Sequence, residues 1–353
     1  MGSPPPKLNV LELFCGIGGM HWALTESGVE FEVKAAVDIN TVTNSIYRTN
    51  FPKLNLLQRE IKSLTTEEFV KLQADVILMS PPCQPFTRVG LKKDIEDDRT
   101  NAFIATLRLI ETCHRQAHVI SYILVENVKG FEESSTRDVL IETLNKCDYV
   151  YQEFLLTPLQ FSIPNSRLRY YCIAKHKSEG NNFIFAHQPE VMLGIPSAAQ
   201  PTLLSKHSYI DIENLTSNLT GQEMTAALDS DERIAPLAQY LLPNSTDYIL
   251  SSEAMEYYQG LDIRKPSSRN SCCFTKRYGR FHVGSGSCLS TGSHLEDGRE
   301  EVRFFTPDEI SNLMCFPQLK FPENISRRQR YSALGNSLNV YVVANLIRLM
   351  VSK

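Results

Sequence analysis

The chain has 353 residues, 42% of them hydrophobic and 22% charged, and a formal net charge of −4. That length suggests about two domains, with enough interior to hold a rigid site without disulfides or a structural metal. The charge argues against a protein that coats nucleic acid through bulk electrostatics, although a local basic groove needs only a few clustered Lys and Arg residues.

The N-terminus, Met1 to Lys7, reads as a small, polar, proline-rich tail rather than a signal peptide. Apolar runs such as Val76 to Met79 are too short to span a bilayer. The nine cysteines are scattered, odd in number and lack any C-x-x-C pair, which fits a reducing compartment. The expectation is an intracellular protein, cytoplasmic with the nucleus as a second location. It is expected to act as a monomer and away from membranes.

Taken in chain order, the first half alternates strand and helix patterns. Leu8 to Phe14 is an apolar run ending in Gly16, Gly18 and Gly19, with a helical pattern from Met20 to Glu26. Val33 to Val37 is a second strand ending at Asp38, followed by a helix over Thr41 to Asn50. Further strands are predicted at Asn55 to Ile61, Asp75 to Met79, Ser121 to Val125, Tyr151 to Thr157 and Tyr170 to Ala174, with helices over Asn101 to Gln116 and Thr136 to Lys146. Strands alternating with helices predict an α/β fold around a mainly parallel sheet, with ligands bound beyond the carboxyl ends of the strands.

From about His176 to Glu301 the sequence turns irregular and rich in Ser, Asn, Thr and Gly, which predicts a smaller, loop-rich second domain. Helical patterns return at Thr306 to Cys315 and Leu338 to Met350. Thr306-Pro307-x-Glu309 predicts an N-cap, a proline at the first helical position and a capping-box acid. His114 and His118 have the i, i+4 spacing of a metal pair, but no third ligand is near, so they are read as a solvated helix face and no metal is expected.

Three loops carry candidate chemistry. Phe14-Cys15-Gly16-Ile17-Gly18-Gly19 lies at a strand-to-helix turn, where glycines allow a ligand close to the backbone; a tight turn without a ligand is the alternative. Asp38, about 20 residues on, stands where a carboxylate can accept from ribose hydroxyls, or is simply a helix N-terminal residue. Gly19 follows Gly18 directly and His21 replaces a third glycine, so a ligand without a pyrophosphate is favoured over a dinucleotide. Ser80-Pro81-Pro82-Cys83-Gln84-Pro85-Phe86 places a cysteine in a proline-stiffened loop at a strand end; a proline-rich turn that happens to hold a cysteine is the bland reading. Glu126-Asn127-Val128 puts a carboxyl at the end of a neighbouring strand, either an acid–base group or a helix-capping pair. Arg167 and Arg169, two apart, would share one face of a strand or form a solvated basic edge.

These phrases, with Gly335-Asn336-Ser337 near the C-terminus, resemble in order the motifs of the cytosine-5 methyltransferases. Cys272-Cys273-Phe274-Thr275 resembles an element of one subfamily, the tRNA-aspartate cytosine-5 methyltransferases. The resemblance implies a Rossmann-like, S-adenosylmethionine-dependent methyltransferase domain over 7–175 and 303–353, with a target-recognition domain over 176–302. It implies that the Cys83 thiolate adds to carbon 6 of cytosine, making carbon 5 a nucleophile. Glu126 would hydrogen-bond or protonate ring nitrogen 3, and Arg167 and Arg169 would fix the base and favour the thiolate.

By the same resemblance, Phe14, Gly16, Ile17, Gly18 and Gly19 would surround S-adenosyl-L-methionine and its product S-adenosyl-L-homocysteine. Asp38 would bind the ribose, Ile61 and Lys62 would neighbour the adenine, and Ser80, Asn336 and Ser337 would close the pocket. Bacterial relatives commonly carry an Asp at the adenine position, where this chain has Glu60-Ile61-Lys62. Substrate contacts would fall on Gln84, Thr87, Arg88, Asn127, Cys273, Phe274, Thr275 and Lys276, and the segment from Thr87 to Arg99 would be a mobile loop closing over the base.

Arg264, Lys265, Arg269, Lys276, Arg277 and Arg280 lie among Tyr278 and Phe281, a mixture suited to phosphate contact and base stacking or to an ordinary solvated surface. Arg327, Arg328 and Arg330 would add a second patch. The subfamily resemblance implies tRNA as the substrate, namely cytosine 38 in the anticodon loop of tRNA-Asp. The alternatives are a DNA cytosine-5 methyltransferase and a catalytically idle nucleic-acid-binding protein.

Overall fold

The strand and helix patterns of the first half assemble into one seven-stranded sheet. The computed structural model describes residues 7–82, 101–212, 221–229, 231–243 and 245–352. Its contacts divide into two units: Met1–Leu156, Leu168–Leu204 and Val343–Lys353 form one, and Thr157–Arg167 with Ser205–Val342 the other. Residues 157–167 and 303–342 thus fall in the second unit and 176–204 in the first, at other positions than the expected boundaries at 175/176 and 302/303.

In the first unit, strands β1 (Leu8–Leu13), β2 (Phe31–Asp38), β3 (Leu56–Gln58), β4 (Val76–Met79), β5 (Tyr122–Val128), β6 (Tyr149–Leu156) and β7 (Arg169–His176) take the order β3-β2-β1-β4-β5-β7-β6. All neighbouring pairs from β3 to β5 are parallel; β7 runs antiparallel to both β5 and β6. The expected α/β, mainly parallel architecture is therefore present, with one reversed strand. Helices α1 (Gly19–Ser27), α2 (Thr41–Asn50), α3 (Thr66–Lys71), α4 (Asn101–Arg115) and α5 (Ser135–Lys146) occupy the connections.

Alternation along the strands assigns the faces. Leu11, Leu13, Ile77, Met79, Ile123 and Val125 share a core with Phe103, Leu107 and Ile110 of α4 and Leu140 and Leu144 of α5. Ala36, Cys15 and Leu56 pack with Tyr47 of α2 in a separate cluster. Both faces being covered explains why β4 and the start of β5 read as unbroken apolar runs.

Two expectations in this unit are corrected. The third strand stops at Gln58 rather than Ile61, because Ile61 turns into the core from a 3₁₀ turn over Ile61–Ser63. α4 ends at Arg115 and Ala117 adopts a left-handed φ of 58°, so His114 and His118 do not share a helix face.

The second unit contains two short helices, α6 (Gly221–Leu228) and α7 (Ser252–Met255), and a small sheet where the sequence showed no alternation. β9 (Cys288–His294) lies between β8 (Ile263–Arg264) and β10 (Glu300–Phe304), antiparallel to β10 and parallel to β8. Its Ser- and Gly-rich sequence hides it, since only its first three residues are buried. Helix α8 (Pro307–Leu313) begins with the expected capping box: the Thr306 hydroxyl accepts from the Glu309 N–H at 3.1 Å, and Glu309 accepts from the Thr306 N–H at 2.8 Å. A second box, Ser326 with Gln329, opens α9 (Arg327–Gly335). The last helix, α10, spans Val340–Val351. Residues 327–351 match a bilayer span in length and hydropathy, but 72% of their most apolar 18-residue window is buried inside the protein, as in a core helix.

Candidate active site at the carboxyl edge of the sheet

Strand register places the chemistry of the first unit in one row. Leu13 pairs with Val37 on one side and Met79 on the other, and Met79 pairs with Val125. The next residue of each strand is Phe14, Asp38, Ser80 and Glu126. Four candidates separated by more than a hundred residues thus stand side by side at the edge where α/β sheets bind ligands.

The glycine turn is fixed from several directions. The Cys15 N–H donates to the Val37 carbonyl at 3.3 Å, the Gly16 N–H to Asp38 Oδ2 at 2.9 Å, and the Gly18 N–H to the Cys15 carbonyl at 2.9 Å. Asp38 Oδ1 accepts from the Asn40 N–H at 2.8 Å, so the carboxylate both braces the turn and faces the start of α2. Gly18 caps α1 in the left-handed region at φ 82°, and a Cβ there would lie 2.6 Å from the Tyr47 ring. Ile17 and Gly19 are buried.

At the β4 end, Ser80 Oγ is buried and finds no hydrogen-bond partner among the described residues. The Asn127 side-chain amide donates to the Pro81 carbonyl at 3.4 Å, tying the Pro-Pro loop to the end of β5. Glu126, 8% exposed, pairs with Arg169 at 3.7 Å across the β5–β7 boundary. Cys83, Gln84, Thr87, Arg88 and the expected closing loop to Arg99 lie outside the described residues.

The second unit holds Arg167, which precedes β7, so the shared-face argument does not apply to it. Arg167 is 3% exposed and donates to Cys273 Sγ at 3.2 Å and to the carbonyls of Phe274 at 3.4 Å, Gly335 at 3.3 Å and Ser337. One guanidinium therefore joins the Cys-Phe-Thr segment to the Gly335-Asn336-Ser337 turn. The two segments touch so closely that a Cβ at Gly335 would lie 2.3 Å from the Lys276 nitrogen. Phe274 is buried among Tyr278 and Phe305, with ring centroids 5.0 and 5.2 Å away. Thr275 is half-buried, while Lys276 and Asn336 are exposed.

A family model described as C-5 cytosine-specific DNA methylase matches residues 8–352. This chain belongs to that family. It is an enzyme, a cytosine-5 methyltransferase. The tRNA (cytosine(38)-C(5))-methyltransferases of Homo sapiens and Bos taurus are 41% and 42% identical to it, covering 97% of this chain and 99% of each relative. A DNA (cytosine-5)-methyltransferase of Dictyostelium discoideum is 36% identical over 98% of this chain and 95% of its own. Among solved structures, Spodoptera frugiperda DNMT2 matches with a TM-score of 0.79 at 35% identity, covering 98% of this chain and 100% of that one.

The family's methyl donor is S-adenosylmethionine, and the first unit fits it. A Cβ at Gly16 would meet nothing within 4 Å, so the turn has open space above it, and Ser80 Oγ is an orphaned polar atom in the same row. Ile39, directly after Asp38, leaves 59% of its surface exposed. It offers an apolar face beside the Asp38 carboxylate, and no sequence signal marks it because it follows the strand rather than ending it. Of the adenine candidates, Ile61 is buried in the core, and Lys62 extends into solvent paired with Glu60 at 2.9 Å.

The basic–aromatic surface of the methyltransferase's second unit is sorted by its contacts. Tyr278 is buried and donates to the Ser287 carbonyl, which removes it from any stacking role. Arg264 is tied to Asp262 at 2.7 Å, Lys265 to Glu300 at 3.3 Å, and Arg269 donates to the Ile234 carbonyl. Phe281 remains 44% exposed, with the guanidinium carbons of Arg277 and Arg280 5.3 and 5.5 Å from its ring centroid. Arg327 lies over Tyr248 at 4.2 Å and Arg330 over Phe321 at 5.3 Å.

Proposed function

We propose that this enzyme methylates carbon 5 of cytosine 38 in the anticodon loop of a tRNA, tRNA-Asp first among them, through a covalent adduct with Cys83, as a monomer and without a metal. The observation that carries the chemistry is the Glu126–Arg169 pair, one strand from Ser80-Pro81 and joined to it by the Asn127–Pro81 hydrogen bond. The full-length likeness to tRNA methyltransferases supports the choice of RNA.

When bound, S-adenosylmethionine would supply an electrophilic methyl group on its sulfonium, with S-adenosylhomocysteine as the product. The glycine turn would accept it close to the backbone, with Asp38 on the ribose and Ser80 as a further polar contact. The Cys83 thiolate adds to carbon 6 of cytosine, and the ring electrons move to carbon 5. Glu126, fixed by Arg169, hydrogen-bonds the ring at nitrogen 3 and offsets charge as the thiolate adds. After carbon 5 takes the methyl group, a base removes the carbon-5 proton, the double bond re-forms and the thiolate leaves.

An anticodon loop already offers unstacked bases, so it spares the cost of extruding a base from a duplex. Phe281 with Arg277 and Arg280 suits such a partner: a π face for a base and two cations for phosphates. The eight free cysteines among the described residues fit a reducing compartment, in keeping with the cytoplasm and nucleus.

Labelled methyl transfer to tRNA-Asp, other tRNAs and duplex DNA, measured in parallel, tests the proposal. Transfer to tRNA-Asp is expected, with none after Cys83→Ala even though S-adenosylhomocysteine still binds. Transfer to duplex DNA alone would establish the DNA reading instead, and turnover unchanged in Cys83→Ala would refute the adduct.

A further inference from the structure

The turn that would hold the cofactor stands on a buried polar relay that the reaction itself does not use. Glu12 lies in β1 between Ala36 of β2 and Leu78 of β4, with none of its surface exposed. Its Oε2 accepts from the Tyr47 hydroxyl at 2.5 Å, and His21 Nδ1 lies 2.9 Å from the same hydroxyl oxygen. Oε1 is buried with no partner of hydrogen-bond geometry among the described residues. Three elements, β1, α1 and α2, thus converge on one phenol oxygen.

A carboxyl at this position is costly. A leucine would fill the space between two strands, whereas a buried polar group loses its hydration unless every bond is replaced. Burial pushes Glu12 up to about 8, against the pull of the Tyr47 hydroxyl and with the negative charge of Asp38 adding to the rise. Burial likewise lowers His21 to about 4, so neither end of the relay is charged near neutral pH. Such groups gain no stability over an apolar core, but the two contacts converging on the Tyr47 hydroxyl fix the position of that side chain.

What they fix is the Tyr47 ring, and that ring is the floor of the glycine turn. Its Cδ2, Cε2 and Cζ atoms lie within 2.6–2.9 Å of where a Gly18 Cβ would stand. The ring fits against the glycine backbone, while the Asp38 carboxylate holds the Gly16 N–H of the same turn. His21 is in turn stacked on Phe51, centroids 3.7 Å apart and planes at 15°, which keeps the imidazole from swinging away.

We propose that Glu12, Tyr47 and His21 are positioning residues for the cofactor: their hydrogen-bonded relay holds the Tyr47 ring beneath Gly18 and so pre-forms the turn that S-adenosylmethionine occupies. Pre-forming a site raises affinity by removing the cost of ordering it on binding. The inference rests on reading the glycine turn as the S-adenosylmethionine site.

The test uses the full chain and titrates S-adenosylhomocysteine by calorimetry, alongside KM for each substrate and thermal melting of the free protein. Tyr47→Phe, which keeps the ring and removes only the hydroxyl, should weaken S-adenosylhomocysteine binding about tenfold, a loss of roughly 1.4 kcal/mol. It should raise KM for S-adenosylmethionine in step and leave KM for RNA unchanged. Glu12→Gln, which can still bond the phenol, should restore most of the affinity that Glu12→Leu loses. Unchanged affinity in Tyr47→Phe, or Glu12→Leu binding as well as Glu12→Gln, would overturn the relay. If the unaltered protein bound no S-adenosylhomocysteine at all, the reading of the turn itself would fail.

Discussion

Replacing Arg167 separates the base contact that the family resemblance implies from the clamp that its hydrogen bonds form within the second unit. As a base contact, its loss would spare the fold and damage catalysis. As a clamp, its loss would damage the fold of the second unit first. In Arg167→Met the carbonyls of Phe274, Gly335 and Ser337 and the Cys273 thiol lose a charged donor together. A hydrogen bond to a charged group contributes about 1.5–3 kcal/mol. The contacts share one guanidinium and do not add, so a total of about 3–5 kcal/mol is expected, comparable to removing one partner of a buried ionic group. Arg167→Lys keeps the charge but loses the planar fork that reaches several carbonyls at once, and about half the loss should remain. Urea titration of the full chain, followed by circular dichroism and by methyl transfer to tRNA, measures both. A Met variant destabilised by less than about 1 kcal/mol but inactive would refute the clamp and return Arg167 to the substrate.

Two further outcomes follow from the first unit. Glu126→Gln should lower kcat about 10²- to 10⁴-fold, the range for a positioned acid–base group, with KM for S-adenosylmethionine little changed; near-normal kcat in single-turnover assays would remove Glu126 from the chemistry. Stability should peak near pH 6.5. His21 and His207 are held by burial at about 4 against an ordinary 6.5, so the unfolded chain binds more protons as pH falls from 6.5 towards 4 and stability is lost there. Glu12 is raised from 4.5 to about 8, so the folded state holds the extra proton between those values and stability declines as pH rises through that window. Between 4.5 and 6.5 the lowered histidines, His176 with them, outweigh the raised carboxyls Glu12 and Glu132, and above 6.5 Glu12 leads among the described residues. A flat urea midpoint from pH 5 to 8 would contradict this.

The sequence by itself determined what each strand delivers. The apolar runs before Phe14, Asp38, Ser80 and Glu126 end in residues of the right chemistry, and the Thr306 to Glu309 box announces its helix, because these signals lie within a few neighbouring residues. Only the tertiary structure decided which of those residues meet. The single row at the sheet edge depends on pairing between Leu13, Val37, Met79 and Val125, and no local pattern encodes that register. The reversal of β7, the diversion of Arg167 to the carbonyls of distant loops and the burial of Tyr278 away from solvent are likewise set by long-range contacts. Glu12 illustrates the division best. In the sequence it is one charge in an apolar strand, and its meaning arises only when Tyr47, 35 residues away, folds its hydroxyl against it.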